Sequence, residues 1–380
     1  MAESRDLVVL ALVIAARFFV PLAIPRYPIP AGIAALVIDG VDQTIFQVFT
    51  TLPLAGYQSY DKALDVYYLS IQYLSTLRNW TNLAAFAMSR FLFYYRLVGS
   101  LLFEVLQLRA LLLLFPNTFE YFFLFYEGVR LRWNPKRMSA AMVIGAAFAI
   151  WVFVKVPQEY WIHIAQFDVT DMLKTKVFGM PLDAAWETAL AENVPLVMAM
   201  LASVAALILA ARWFLVHRLP PANWRFSFDV DAHGMDVAPA EVVAVQRAGA
   251  RSLFDVEMFE KIALVSLVTV TFWRILPGVQ ASPISITVGV TVVIVANTVF
   301  SEWLVRYGVR WQSALLEFAV MAVVNALVVG AYVVILPFVD GAIDVPATLF
   351  SVLLLTLLVT MYDRFRPYYQ VRRNRAAAAG

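Results

Sequence analysis

The 380-residue chain contains no cysteine, so disulfides, thiolate nucleophiles and sulfur-ligated metals are all excluded. Charge is scarce too. Only 15% of the residues are Asp, Glu, Lys or Arg, against about a quarter in an ordinary water-soluble domain. The net charge of +2 and the lack of a long basic tract speak against a nucleic-acid partner. There is no glycine-rich phosphate loop, no His-Glu-x-x-His pair and no Gly-x-Ser-x-Gly elbow. Those absences remove a pump carrying its own nucleotide domain, the common zinc protease and the ordinary serine hydrolase. No Gly-x-x-x-Gly pattern signals a close helix dimer, and nothing in the sequence calls for a cofactor.

What is abundant is apolar surface, at 62% hydrophobic residues. A helix needs roughly 20 apolar residues to cross a hydrocarbon core of about 30 Å. Such runs recur at 7–24, 32–56, 83–103, 108–126, 138–156, 195–216, 261–277, 284–301, 314–336 and 346–362. Open strands cannot satisfy their backbone groups in lipid, so the expected fold is an all-α polytopic integral membrane protein of about ten transmembrane helices, range 8–10. The start, Met1 to Ile24, lacks a small-x-small cleavage site and reads as a retained first helix. With the N-terminus inside, nearly all loop cations fall on the cytoplasmic side, and only Arg26, Arg109, Lys174 and Lys176 are left outside. The positive-inside rule then puts both termini in the cytoplasm of a plasma (inner) membrane.

Three segments stand apart from these spans. Over 57–82, Tyr60, Leu64, Tyr67, Tyr68, Ile71 and Leu74 recur at helical spacing, while Asp61, Asp65 and Gln72 fall on another side. That pattern describes an amphipathic helix lying in the membrane interface. Residues 157–194 form an acidic loop segment expected outside. Residues 217–260 form one expected inside, where Trp224, Phe226, Phe228 and Val230 alternate as a short strand would. A helix is expected from Pro239 onward.

The chemistry rests on polar residues within apolar sequence. Asp39 and Asp42 stand three apart and share a helix face. Arg90 sits in the third span, where Arg96, Ser100 and Glu104 recur every four residues; Glu317, Met321 and Asn325 form a similar line in the ninth. A charge in lipid costs at least about 2.5–3.5 kcal/mol on insertion scales, so such groups should face the bundle interior and find one another. They line either a polar pathway or a set of interhelical hydrogen bonds. Glu159 and His163 stand i, i+4, with Asp168 following, and are the only candidates for a metal. Their spacing matches no established zinc motif.

In outline, the first 80 or so residues look similar to membrane glycosyltransferases that use lipid-linked sugars: a first span, an acidic residue, then interfacial helices. The resemblance implies that Asp39 and the helix of Tyr57 to Asn82 take those parts, on the outer face. The positive-inside count places that helix inside.

Three functions fit these observations. The favoured one is a carrier moving a small molecule or ion along a charge-lined route. A membrane-embedded transferase with Asp39 or Asp42 as base, acting on a lipid-linked substrate, is the second. A non-catalytic scaffold is the third. The carrier predicts charges converging in a water-accessible cavity deep in the bilayer, the transferase a lateral opening to lipid beside the acids near one membrane face, and the scaffold charges that pair off with no cavity.

Overall fold

The computed structural model describes residues 2–51, 57–106, 108–165, 167, 169–234, 236–249, 256–273, 283–306, 313–335 and 345–379. Among them there are helices and no strands. The first half holds α1 (Ala2–Phe19), α2 (Pro28–Phe49), α3 (Tyr57–Asn79), α4 (Leu83–Leu106), α5 (Ala110–Leu114), α6 (Thr118–Arg130) and α7 (Ala140–Ile150). Three short helices follow, α8 (Val156–Glu159), α9 (Val169–Met172) and α10 (Trp186–Glu192), and then the longer α11 (Val194–His217). The chain closes with α12 (Pro239–Gly249), α13 (Val256–Trp273), α14 (Pro283–Arg306), α15 (Ala314–Ile335) and α16 (Val345–Ala379). Wider π-helical turns join α7 to α8 and carry the rod on to Ile164.

Six of the described helices are long and apolar enough to cross a membrane: Arg5–Ala23, Pro28–Phe49, Ala140–Ile164, Val194–Phe214, Ala314–Ala331 and Thr348–Ala378. The chain is therefore a helical membrane protein. Helix α11 is apolar all round and none of its apolar stretch is buried, as suits a helix solvated by lipid. The other expected spans are helical but shorter, more polar or broken. Residues 108–126 do not form one span. Phe115 leaves the helix before Pro116, as the residue ahead of a proline tends to do, and α6 starts afresh after Asn117. The break is pinned to α4: Tyr95 donates to the Leu114 carbonyl at 2.7 Å and Arg96 to the Phe115 carbonyl at 3.0 Å. Gly99 lets Phe115 lie flat on α4, since a Cβ there would sit 2.1 Å from the Phe115 Cβ.

The core is organised around α3. The amphipathic pattern placed this helix on a membrane face; instead it is enclosed by α1, α2, α4, α6, α13 and α16. Tyr67, Ile71, Tyr73, Leu74 and Leu77 are fully buried, and so are Ser70, Gln72, Ser75 and Thr76. Its polar side finds partners within the bundle: Gln72 donates to Tyr68, Tyr73 bonds Glu260 of α13, and Tyr67 donates to the Phe18 carbonyl of α1.

Taking α3 as a full-length pass changes which loops meet. At one end Arg78 and Asn79 donate to the Pro25 carbonyl in the α1–α2 turn. Arg26 in that turn pairs with Asp229 at 2.9 Å, and Arg372 near the end of α16 donates to the Leu77, Arg78 and Trp80 carbonyls. The expected topology put Arg26 on the opposite side from the 217–260 segment; the two are ion-paired. At the other end of α1, Asp6 accepts from Thr51 beyond α2. The start of α1 and the end of α16 thus lie at opposite ends of the bundle, because α3 adds a pass that the sequence pattern assigned to the surface.

Residues 217–249 strap this end, but not as a strand. Asn223 donates its backbone N–H to the Arg132 carbonyl and Val230 donates to that of Arg26. These are single bonds to two different loops, so no ladder forms. Phe226 and Phe228 are exposed, and Trp224 stacks on His233.

Candidate functional site

Arg17, on the last turn of α1, is buried, and its guanidinium is shared by four aspartates. Two come from α2, Asp39 and Asp42, and two from α3, Asp61 at 2.8 Å and Asp65 at 3.0 Å. The local reasons are simple. Pro21 and the turn ending at Tyr27 fold α2 back on α1. Spacings of three on α2 and four on α3 then turn each acid pair toward the same point. The Tyr60 ring lies 6.0 Å from the guanidinium, a further cation–π contact. Asp42 has no exposed side-chain surface, whereas Asp39, Asp61 and Asp65 keep 31%, 30% and 26% of theirs. Carboxylate oxygens of these last three all lie within 4.8 Å of one another.

Charge balance decides what this arrangement can do. Four carboxylates face one guanidinium, and like charges this close in a poorly hydrated place repel strongly. Protons or a bound cation would relieve that repulsion. An oxygen-only set of three carboxylates suits a hard cation rather than zinc, which favours nitrogen and sulfur.

A second buried acid adjoins the tetrad. Glu120, in the first turn of α6, accepts from the Asn117 side chain at 2.9 Å, and the backbone N–H of Asn117 donates to Glu159 at 3.1 Å. Glu159 also meets Lys155 at 3.4 Å and His163 at 3.0 Å. The Glu159–His163 pair expected as a metal candidate therefore holds a lysine ammonium on the same carboxylate. Asp168 lies outside the described residues.

Arg90, Arg96, Glu317 and Asn325, of the remaining expected pathway residues, go to separate places, each with its own partner. Arg90 pairs with Glu260 at 3.2 Å, and Glu260 also takes Arg366 at 2.6 Å and the phenols of Tyr73 and Tyr362. Arg96 donates to the Phe115 carbonyl; Glu104 is on the last turns of α4, its side chain outside the described residues. Glu317 pairs with Arg364 at 3.1 Å. Asn325 accepts from Asn297 and donates to Thr356, tying α15 to α14 and α16. Of the expected set, Asp39, Asp42, Asp61 and Asp65 come together.

No protein-family model, curated protein or solved structure matches the chain. The geometry of the tetrad has to carry the functional reading. Arg17 is the residue that sequence reasoning missed. A lone arginine late in a first span was a signal, since an intramembrane cation demands an acid partner; nothing along the chain said which acids.

The strap of residues 217–249 is held by ion pairs whose acids lie outside the candidate spans. Hydrogen bonding from Arg26 holds the Asp229 carboxyl below the usual range, and that from Arg375 does the same for Glu241. Burial pushes Asp236 up, but the hydrogen bonds and charge of Arg372 outweigh it, and its net shift is downward.

Proposed function

We propose that this protein is a carrier in the plasma membrane that takes up a cation, or protons in its place, at the Asp39–Asp42–Asp61–Asp65 tetrad around Arg17. One observation carries the reading: four carboxylates converge on a single guanidinium, and three of them keep a quarter to a third of their surface open. Arg17 acts as the resident cation that keeps the acids together when the site is empty. The incoming cation binds the open tripod of Asp39, Asp61 and Asp65. The end carrying Arg26, Arg78, Lys136, Arg372 and Arg375 faces the cytoplasm on the positive-inside rule, which puts the start of α1 outside.

The test is flux in liposomes containing the purified protein, read with cation- and pH-sensitive dyes. Asp39→Asn and Asp65→Asn should abolish the flux, while Glu317→Gln, at a separate ion pair, should leave it. Flux that persists after the tetrad is neutralised would overturn the carrier. The second reading is a transferase on a lipid-linked substrate, and the oxygen-only tripod favours it, because such a set also suits a divalent ion bridging to a phosphate. Divalent-dependent turnover of a lipid-linked phosphate, without flux, would decide for it.

A further inference from the structure

A concavity lies away from the tetrad, on the flank of α4. It encloses about 540 Å3 and is walled by Phe86, Phe91, Tyr94, Tyr95, Phe115 and Tyr369, with Ala87 and Val98 at its edge. Arg90 is the one charged residue of the lining. Phe91 and Val98 are 53% and 41% exposed, so the groove opens sideways, toward what is hydrocarbon in a membrane protein. The helix rises 1.5 Å per residue, so Arg90 to Val98 spans about 12 Å of apolar wall. Arg90 lies at the end of this wall nearer the start of α4, the end where the basic loops gather.

We infer that this groove binds one anionic phospholipid of the bilayer, an acyl chain lying along Phe91 to Val98 and the phosphate meeting Arg90. Charge complementarity selects the anionic class. Behind Arg90, among the described residues, three guanidiniums, Arg90, Arg366 and Arg373, are shared between two carboxylates, Glu257 and Glu260. One positive charge is left over, and the Arg90 side chain is 34% exposed. A phosphate supplies the missing negative charge, as basic pockets between helices do for anionic headgroups. The aromatic walls supply the other half of the recognition, since they offer a long apolar surface to a chain and nothing to a free anion. The inference is independent of whether the tetrad serves a carrier or a transferase.

The test titrates the delipidated full chain in neutral detergent with phosphatidylglycerol or phosphatidylcholine of the same chain length, read by native mass spectrometry. Phosphatidylglycerol should bind at least tenfold tighter. Arg90→Gln should erase the preference and Arg90→Lys should keep most of it. Ala87→Trp and Val98→Trp fill the groove from exposed positions, leave every charge in place, and should each weaken phosphatidylglycerol at least tenfold. If Arg90→Gln fails to fold, the tryptophan pair decides. Equal binding of the two lipids would overturn the inference, as would tryptophan variants within twofold of wild type. Displacement of the lipid by glycerol phosphate alone would show a free-anion site and overturn it too.

Discussion

Replacing Arg17 by Met removes the guanidinium that Asp39, Asp42, Asp61 and Asp65 share while keeping much of the aliphatic stem. Arg17 is 5% exposed and Asp42 has no exposed surface, so a buried carboxylate loses its ion pair with the guanidinium. Breaking a buried ion pair by removing one partner costs about 3–5 kcal/mol, and here the remaining acids also repel one another. At about 2–4 °C per kcal/mol for a chain of a few hundred residues, the melting temperature of the detergent-solubilised protein should fall by about 10 °C. A sign reversal distinguishes this from loss of packing. Asp42→Asn should destabilise the wild type, where it removes a partner of Arg17, and stabilise Arg17→Met, where it removes one of four repelling charges. Acidification should narrow the gap between Arg17→Met and wild type, because protons then replace the guanidinium. A shift below about 2 °C, or the same sign for Asp42→Asn in both backgrounds, would refute the charge-balance reasoning behind the proposed function.

Further predictions follow from the packing. Gly99→Ala should cost about 1–3 kcal/mol, the usual range for overpacking, because Phe115 must move off α4; an unchanged melting temperature would deny the close approach. Asn325→Leu should cost only about 1 kcal/mol, since interhelical hydrogen bonds in membranes are individually weak, and thermal unfolding reads this directly. The strap of residues 217–249 depends on carboxylates whose folded pKa lies below the ordinary value. Its docking is therefore complete above about pH 4–5 and is lost as pH falls through the lowered values of Asp229, Asp236 and Glu241. Limited proteolysis of the strap should accelerate below about pH 4, and a flat rate down to about pH 3 would contradict the ion-pair clamp. For sidedness, a single cysteine replacing the exposed Arg5 should react with an impermeant thiol reagent in intact cells, whereas one at Ser227 should not.

The helical membrane class was legible from composition and run length alone, because lipid allows so few backbone solutions. The acids at Asp39, Asp42, Asp61 and Asp65 were legible for a related reason: a carboxylate in an apolar run is costly enough to demand an explanation. Hydropathy misjudged α3, whose serines, glutamines and tyrosines average to a polar helix although the fold encloses it and gives Gln72 and Tyr73 buried partners in Tyr68 and Glu260. Misreading that pass changed the parity of every later loop, which is why Arg26 and the 217–260 segment were expected on opposite sides.

Local sequence determined, then, that the chain is an α-helical membrane protein and that the acids in its apolar runs need partners. Each of these follows from one residue's preference or from the solvent that one segment requires. The tertiary structure alone decided that Arg17 is the hub of the tetrad, that Arg90 answers to Glu260 and Arg96 to the Phe115 carbonyl, and that α3 lies inside. These are pairings between residues 19 to 170 positions apart, and the charge of a side chain states that it needs a partner without saying which turn of which helix will supply it.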